Sequence, residues 1–210
     1  GLYSALLNGI PMRYAMISND GSNQRQMRKS PAARRSLRIQ MQIMAQLAAG
    51  VRLRDMPEEW FALPSDEEMQ NDLVSSLAAL ACERLIDAHQ FADAAALAKH
   101  LAEGNASLVG LAECQVACDR ATAELLEGVC DGVPGYLSTR QMRQYMKAMR
   151  QSLTVLRTQY ICARLGEKNS KRAEAIRIQF ESRAKKHPYP VEADAERELL
   201  SLADERTENA

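Results

Sequence analysis

Cys114 and Cys118 stand four residues apart, a spacing that puts both thiols on one face of a helix and would offer two thiolates to a metal. A tetrahedral site needs two further ligands, and the nearest histidines, His89 and His100, belong to the preceding hairpin. The pair therefore reads as two small apolar side chains of a core. The chain has three histidines, at 89, 100 and 187, and they form no His-Glu-x-x-His zinc motif. It also has neither a Gly-rich phosphate loop nor a Gly-x-Ser-x-Gly elbow. These observations argue against catalysis by this chain alone. Asn19-Asp20-Gly21-Ser22 combines residue types that favour a β-turn, a role in which Asp20 needs no metal. Met142, Met146 and Met149 recur at helical intervals, as an adaptable peptide-binding face would or, more simply, as a core stripe does. Arg25, Arg28, Lys29, Arg34, Arg35 and Arg38 form a basic tract suited to phosphates. No stacking aromatic interrupts it and no helix-turn-helix order surrounds it, so anionic lipid fits at least as well as nucleic acid, which is disfavoured.

The elements that would position these residues are helices. Apolar residues make up 46% of the 210 positions, enough to bury a core. Ala, Leu, Met, Arg, Glu and Gln dominate, while β-branched residues are thin, a helix-forming composition. Five cysteines at irregular spacing point to reduced thiols in a cytosolic compartment. No apolar run reaches about eighteen residues and no leader-like order opens the chain, so a soluble product is expected. The start on Gly1, followed by the short apolar stretch around Leu6 to Ile17, reads as the edge of a larger protein.

Net charge is zero, but the charges are segregated. Residues 21–54 carry eight Arg or Lys and no acid, 55–135 carry sixteen acids against three bases, and 136–186 carry thirteen bases against three acids. The tail from 187 is acidic again. Such alternation lets successive helices complement one another, or presents faces of opposite sign to partners.

Ser30-Pro31 predicts a capped helix over 31–49 that stops at Gly50. The stretch from Val51 to Pro64 reads as a loop with a short helical turn anchored by Trp60, the single Trp. Ser65-Asp66-Glu67-Glu68, with its acids first as the helix dipole prefers, predicts the start of a helix to about His89. Helical hairpins follow: a turn at His89-Gln90-Phe91, an Ala-rich helix to Gly104, and a helix from Ser107 to about Gly128. After the Gly132-Val133-Pro134-Gly135 break, helices open at Ser138 and Ser152, another follows the Gly166 to Ser170 turn, and a last runs from Val191 to about Asp204. Residues 74–106 and 154–188 each span close to the tetratricopeptide period of about 34 residues. Phe91, Ala94, Ala98 and Pro188 stand where that repeat favours aromatic, small and closing residues, although the consensus Trp and Gly of its first helix are missing. The expected fold is all-α: stacked antiparallel helical hairpins in a tetratricopeptide-like, right-handed array, whose usual work is binding a peptide or protein. Residues 1–64 are expected to form an N-terminal remnant, basic helix and Trp-containing linker, and 65–210 the helical domain.

Three elements in order carry a resemblance: Leu7-Asn8-Gly9-Ile10-Pro11, then Asn19-Asp20-Gly21, then Gly50-Val51-Arg52-Leu53-Arg54-Asp55-Met56-Pro57-Glu58-Glu59-Trp60 after the basic helix. The first 64 residues thus resemble the C-terminal cytosolic part of bacterial site-2-protease-like zinc metallopeptidases. The resemblance implies that Asp20 matches the third zinc ligand, whose two His partners and catalytic Glu lie in a His-Glu-x-x-His helix that this chain lacks. Asn8 and Pro11 match the tract before it. Polar Ser22 to Arg25 and Leu53 depart from the family pattern. The resemblance implies a soluble interaction or regulatory region on the cytoplasmic side of a bacterial membrane, inactive as this fragment. It would have no cofactor of its own, although the parent enzyme would hold zinc. Its partners would be a protein or peptide, a second copy, and the membrane through the missing N-terminal part. The alternative is a stand-alone tetratricopeptide-like adaptor or chaperone. Leu2, Tyr3, Leu6, Leu7 and Ile10 are too apolar to hang free and are expected to pack on the 31–49 helix or in a swapped contact.

Overall fold

The computed structural model describes residues 30–108, 110–129 and 132–208, together with the backbone of 13–14 and 17–18. Asp20, Asn8, Pro11, Cys130 and the apolar start, on which several expectations rest, lie outside the described residues. Apart from a two-residue antiparallel pairing of β1 (Arg13–Tyr14) with β2 (Ile17–Ser18), the described chain is helical, as the composition requires.

Eight α-helices are present among the described residues. The first, α1 (Pro31–Ala48), begins as expected: the Ser30 hydroxyl accepts from the Ala33 N–H at 3.1 Å and Pro31 occupies the first turn. Gly50, at φ +85°, ends the run. Residues 51–64 hold two 3₁₀ turns, and Leu53, Met56 and Phe61 are buried in the common core. Phe61, not Trp60, anchors this stretch, because Trp60 is only partly buried while the Arg84 guanidinium lies 5.3 Å over the Phe61 ring.

Ser65 and Glu68 form a reciprocal capping box: the Glu68 N–H donates to the Ser65 hydroxyl and the Ser65 N–H to the Glu68 carboxylate. They cap only a 3₁₀ turn (Glu68–Gln70), and α2 (Asp72–Asp87) starts later, with the Asn71 side chain as its N-cap. The interruption lets Met69 enter the core, with 2% exposure. A three-residue turn containing His89 at φ +58° leads to α3 (Phe91–His100), prolonged by a wider turn to Asn105 with Gly104 at φ +91°. Helix α4 (Leu111–Glu127) begins four residues after the predicted Ser107. That serine is committed elsewhere: its N–H donates to the Met69 carbonyl at 2.7 Å and its hydroxyl to Asp72 at 2.7 Å.

Thr139, one residue beyond Ser138, caps α5 (Arg140–Ala148), and Ser152 precedes α6 (Leu153–Ile161), which continues as a wider turn to Gly166. Helices α7 (Ser170–Ala184) and α8 (Pro190–Glu208) complete the fold. Helix α1 packs on α2, and α2, α4, α6 and α8 then pack each on the next. Helix α3 covers α2 and α4, α5 lies on α4, and α7 covers α6 and α8. The three-residue turns between α2 and α3 and between α6 and α7 make those pairs antiparallel hairpins. The apolar core runs from Ala33 of α1 to Ala203 of α8, with Ala94, Ala98, Ala121 and Ala123 giving the close approaches.

The charge blocks meet across these contacts. Arg164 reaches Asp204 at 2.9 Å, Arg177 pairs with the same carboxylate, and Arg197 pairs with Glu181 at 2.9 Å. Being partly exposed, these pairs set register more than stability. Among the described residues no helix is long and apolar enough to cross a membrane.

Candidate functional site

The succession α2, α4, α6 and α8 encloses a cavity of about 310 Å³, closed at one end by the tail of α1 and the segment after it. Arg52 makes that closure. Its guanidinium bonds to Asp87 at the end of α2 and, at 2.5 Å, to Glu198 of α8, while the Arg54 N–H donates to the second Asp87 oxygen at 2.9 Å. Residues 146 positions apart are thereby joined across the mouth of the array. Leu47, Leu53, Ile86, Leu153, Val191 and Leu199 give the cavity its apolar walls.

Its polar wall centres on Arg157, whose side chain is 4% exposed. One Nη donates to Asp119 of α4 at 2.6 Å and the other to Glu196 of α8 at 3.0 Å. Asp119 is 0% exposed and Glu196 15%. Glu83 of α2 accepts from the Gln115 amide, and Glu192 lies 3.6 Å from His187. Burial works to lower the Arg157 pKa, but Glu196 and Asp119 more than offset it, so the guanidinium stays charged. Burial pushes the Glu196 carboxyl up to about 7 against the opposing pull of Arg157. Glu83 is raised well above the ordinary carboxylate range by burial and by Asp119, and Glu192 is raised by burial while His187 pulls it back. Asp119 too is raised by burial, with Arg157 opposing.

This network is incompletely satisfied. Asp119 Oδ2, Glu196 Oε2 and Arg157 Nε are buried without a hydrogen-bond partner. Buried polar atoms ordinarily find partners; Glu196 and Arg157 line the cavity, so Glu196 Oε2 and Arg157 Nε mark a place that an additional polar group would complete, while Asp119 lies behind Arg157. The arrangement can bind and can hold protons at carboxylates. The hydrogen bonds of His187 among the described residues go to the backbone of Tyr189 and not to Ser152 or Thr154, which also line the cavity.

The described cysteines, the methionine stripe and the described part of the basic tract do not line this cavity. Cys82, Cys114, Cys118 and Cys162 are buried, and burial, with Asp119 adding to it, pushes the Cys118 thiol up to about 12. His100 meets Asp66 at 2.8 Å, and His89 stacks on Phe91. Met142 is buried and Met149 37% exposed, so the methionine stripe divides between core and surface. In the basic tract, Arg35 donates to the Glu59 carbonyl at 2.9 Å. Among the described residues no group of three or more His, Cys, Asp or Glu is placed to hold a metal ion.

Sequence reasoning missed Arg157, Asp119, Glu196 and Glu83. A signal was present: Asp119 interrupts the helical stripe Val116, Ala123, Leu126, and Arg157 the stripe Leu153, Tyr160, Ile161, all of them buried apolar positions. A charge on an apolar stripe is expected to be paired. Together the fold and cavity define an all-α helical bundle with a polar-walled pocket. No protein-family model, curated protein or solved structure matches the chain.

Proposed function

We propose that the chain is a non-catalytic binding module, tetratricopeptide-like in plan, whose cavity receives part of a partner protein or peptide. The observation that carries this reading is a cavity lined from four successive helices and bordered by polar atoms left unsatisfied. Its volume of about 310 Å³ lies at the lower end of ligand pockets, roughly 300–1,000 Å³, and suits one side chain inserted from a segment lying outside. Fluorescence-polarisation screening of a random dodecapeptide array tests it. Peptides should bind the wild type and lose affinity at least tenfold to Ala195→Trp, which fills the cavity beside Glu196. Equal binding to both forms, or no binding peptide at all, refutes the reading.

The placement of this module in a larger protein rests on the resemblance carried by residues 7–21 and 50–60. In that setting it is the cytoplasmic interaction region of a bacterial membrane-embedded zinc metallopeptidase, with Asp20 contributing to a zinc site completed by an upstream His-Glu-x-x-His helix. The integration of Arg52, Leu53 and Met56 into the fold supports a fixed junction between such an enzyme and the module. Reading the coding sequence upstream of Gly1 tests the assignment. A His-Glu-x-x-His motif within hydrophobic segments is expected, and its absence leaves the stand-alone adaptor or chaperone.

A further inference from the structure

We infer that the cavity is a receptor for a single cationic group, a primary ammonium or guanidinium such as ends a lysine or arginine side chain, held by the carboxylates of Glu83, Glu192 and Glu196. The inference deepens the binding-module reading and rests on it for the identity of the partner as a peptide.

Charge accounting around the cavity carries the argument. The charged groups facing it are Glu83 and Asp87 from α2, Arg157 from α6, Glu192 and Glu196 from α8, His187 from the turn before α8, and Arg52 from the closing segment, with Asp119 of α4 behind Arg157. Arg52 is matched by Asp87 and Glu198. Arg157 is already shared between Asp119 and Glu196. Glu83 and Glu192 therefore remain in excess, with His187, 3.6 Å from Glu192, as the other titratable base. The hydrogen-bond balance points the same way. Glu196 lines the cavity and its Oε2 is a buried acceptor without a partner, which a donor brought by a ligand would satisfy. An ammonium brings three donors and no acceptor, and a guanidinium five. An anion would satisfy Arg157 Nε alone and would face uncompensated carboxylates, which is strongly unfavourable in a desolvated site. The apolar walls, Leu47 and Leu53 on one side and Val191 and Leu199 on the other, suit the methylene stem that carries such a charge.

Binding is coupled to protons. Burial holds Glu83, Glu192 and Glu196 above their ordinary range, so protons compete with a cation for these carboxylates as the pH falls. Affinity therefore rises with pH.

Isothermal titration with n-butylguanidinium, with sodium pentanoate as an anionic probe of similar length, decides the matter. The cation should bind at pH 8, bind at least tenfold more weakly at pH 5, and lose at least tenfold in affinity in the Glu83→Gln/Glu192→Gln variant; pentanoate should not bind. Gln is isosteric with Glu, and far-UV circular dichroism with nitrogen-15 correlation spectra checks that the variant keeps the fold. If the double variant unfolds, the single variants and the chemical-shift change of Arg157 Nε on titration carry the test instead. Binding of pentanoate as tight as that of the cation, or cation binding indifferent to pH and to the substitutions, overturns the inference. A parallel titration with acetyl-Gly-Arg-Gly-amide separates the two readings. Butylguanidinium binding without tripeptide binding keeps the cation site and removes the peptide partner. Array peptides that bind with no Lys or Arg dependence keep the partner and remove the cation site.

Discussion

Replacing Arg157 by Met should destabilise the protein by about 3–5 kcal/mol at pH 8, the cost of removing one member of a buried ion pair and leaving its partners uncompensated. Met keeps most of the volume, so packing loss is small, and the effect falls on Asp119 and Glu196, which are 0% and 15% exposed and accept the two Nη bonds. For a chain of this length the loss corresponds to a fall in Tm of roughly 6–20 °C. Its pH dependence follows from the carboxyls. A carboxyl raised on folding binds protons more tightly in the native state, so its contribution to stability is fully present below the ordinary value and is lost as pH rises through the folded value. For Glu196 that window runs from 4.5 to about 7, worth about 3 kcal/mol. Without Arg157 the Asp119 and Glu196 carboxyls rise further, so the penalty grows toward pH 8 and shrinks toward pH 5, where both can stay protonated at little cost. Urea unfolding followed by far-UV circular dichroism at pH 5 and pH 8 measures both quantities. A loss at pH 5 below about half that at pH 8 is expected, and the triple variant Arg157→Met/Asp119→Asn/Glu196→Gln should recover most of the stability. A variant within about 1 kcal/mol of wild type at pH 8, or a loss identical at the two pH values, would refute the idea that these carboxylates depend on Arg157.

Other perturbations read other parts of the fold. A Cβ at Gly166 would lie 3.0 Å from the Gly132 carbonyl carbon and 3.1 Å from the Val133 nitrogen, so Gly166→Ala should cost about 1–3 kcal/mol by forcing the 132–134 loop off the end of α6, seen as a lower urea midpoint. Gly128 ends α4 at φ +81°, so Gly128→Ala should cost about 1 kcal/mol, read in the same assay. Asn71→Ala removes the side-chain acceptor of the Leu73 N–H, and a loss of about 1 kcal/mol is expected. Cys82, Cys114 and Cys118 are buried and their thiols are raised by burial; iodoacetamide labelling at pH 8, mapped by mass spectrometry, should leave them unmodified until urea is added, whereas rapid native labelling of any of the three would contradict their packing.

Helix positions were legible because caps and breakers act locally. Ser30-Pro31, Ser152 and the glycines at 50, 104 and 128 mark ends that the structure keeps. Two starts were misplaced for tertiary reasons. Ser65 carries a genuine capping signal, yet burial of Met69 breaks the helix after a single turn. Ser107 has the right residue type, but its backbone and hydroxyl are drawn to Met69 and Asp72, more than 30 residues away. Trp60 was the prominent residue of its segment, but Phe61 faces the core.

By itself the sequence determined an all-α protein, its punctuation and its alternating blocks of charge, because helix propensity, capping and breakers act within a few residues. Only the tertiary structure decided which charges meet. Asp119 and Arg157 are 38 positions apart and Arg52 and Glu198 are 146 apart. The apolar stripes they interrupt mark Asp119 and Arg157 as charges that need partners, but the partners are chosen only when packing withdraws that pair from water. That withdrawal turns one arginine and a ring of carboxylates, ordinary surface chemistry in the unfolded chain, into a cavity with a preference for positive charge.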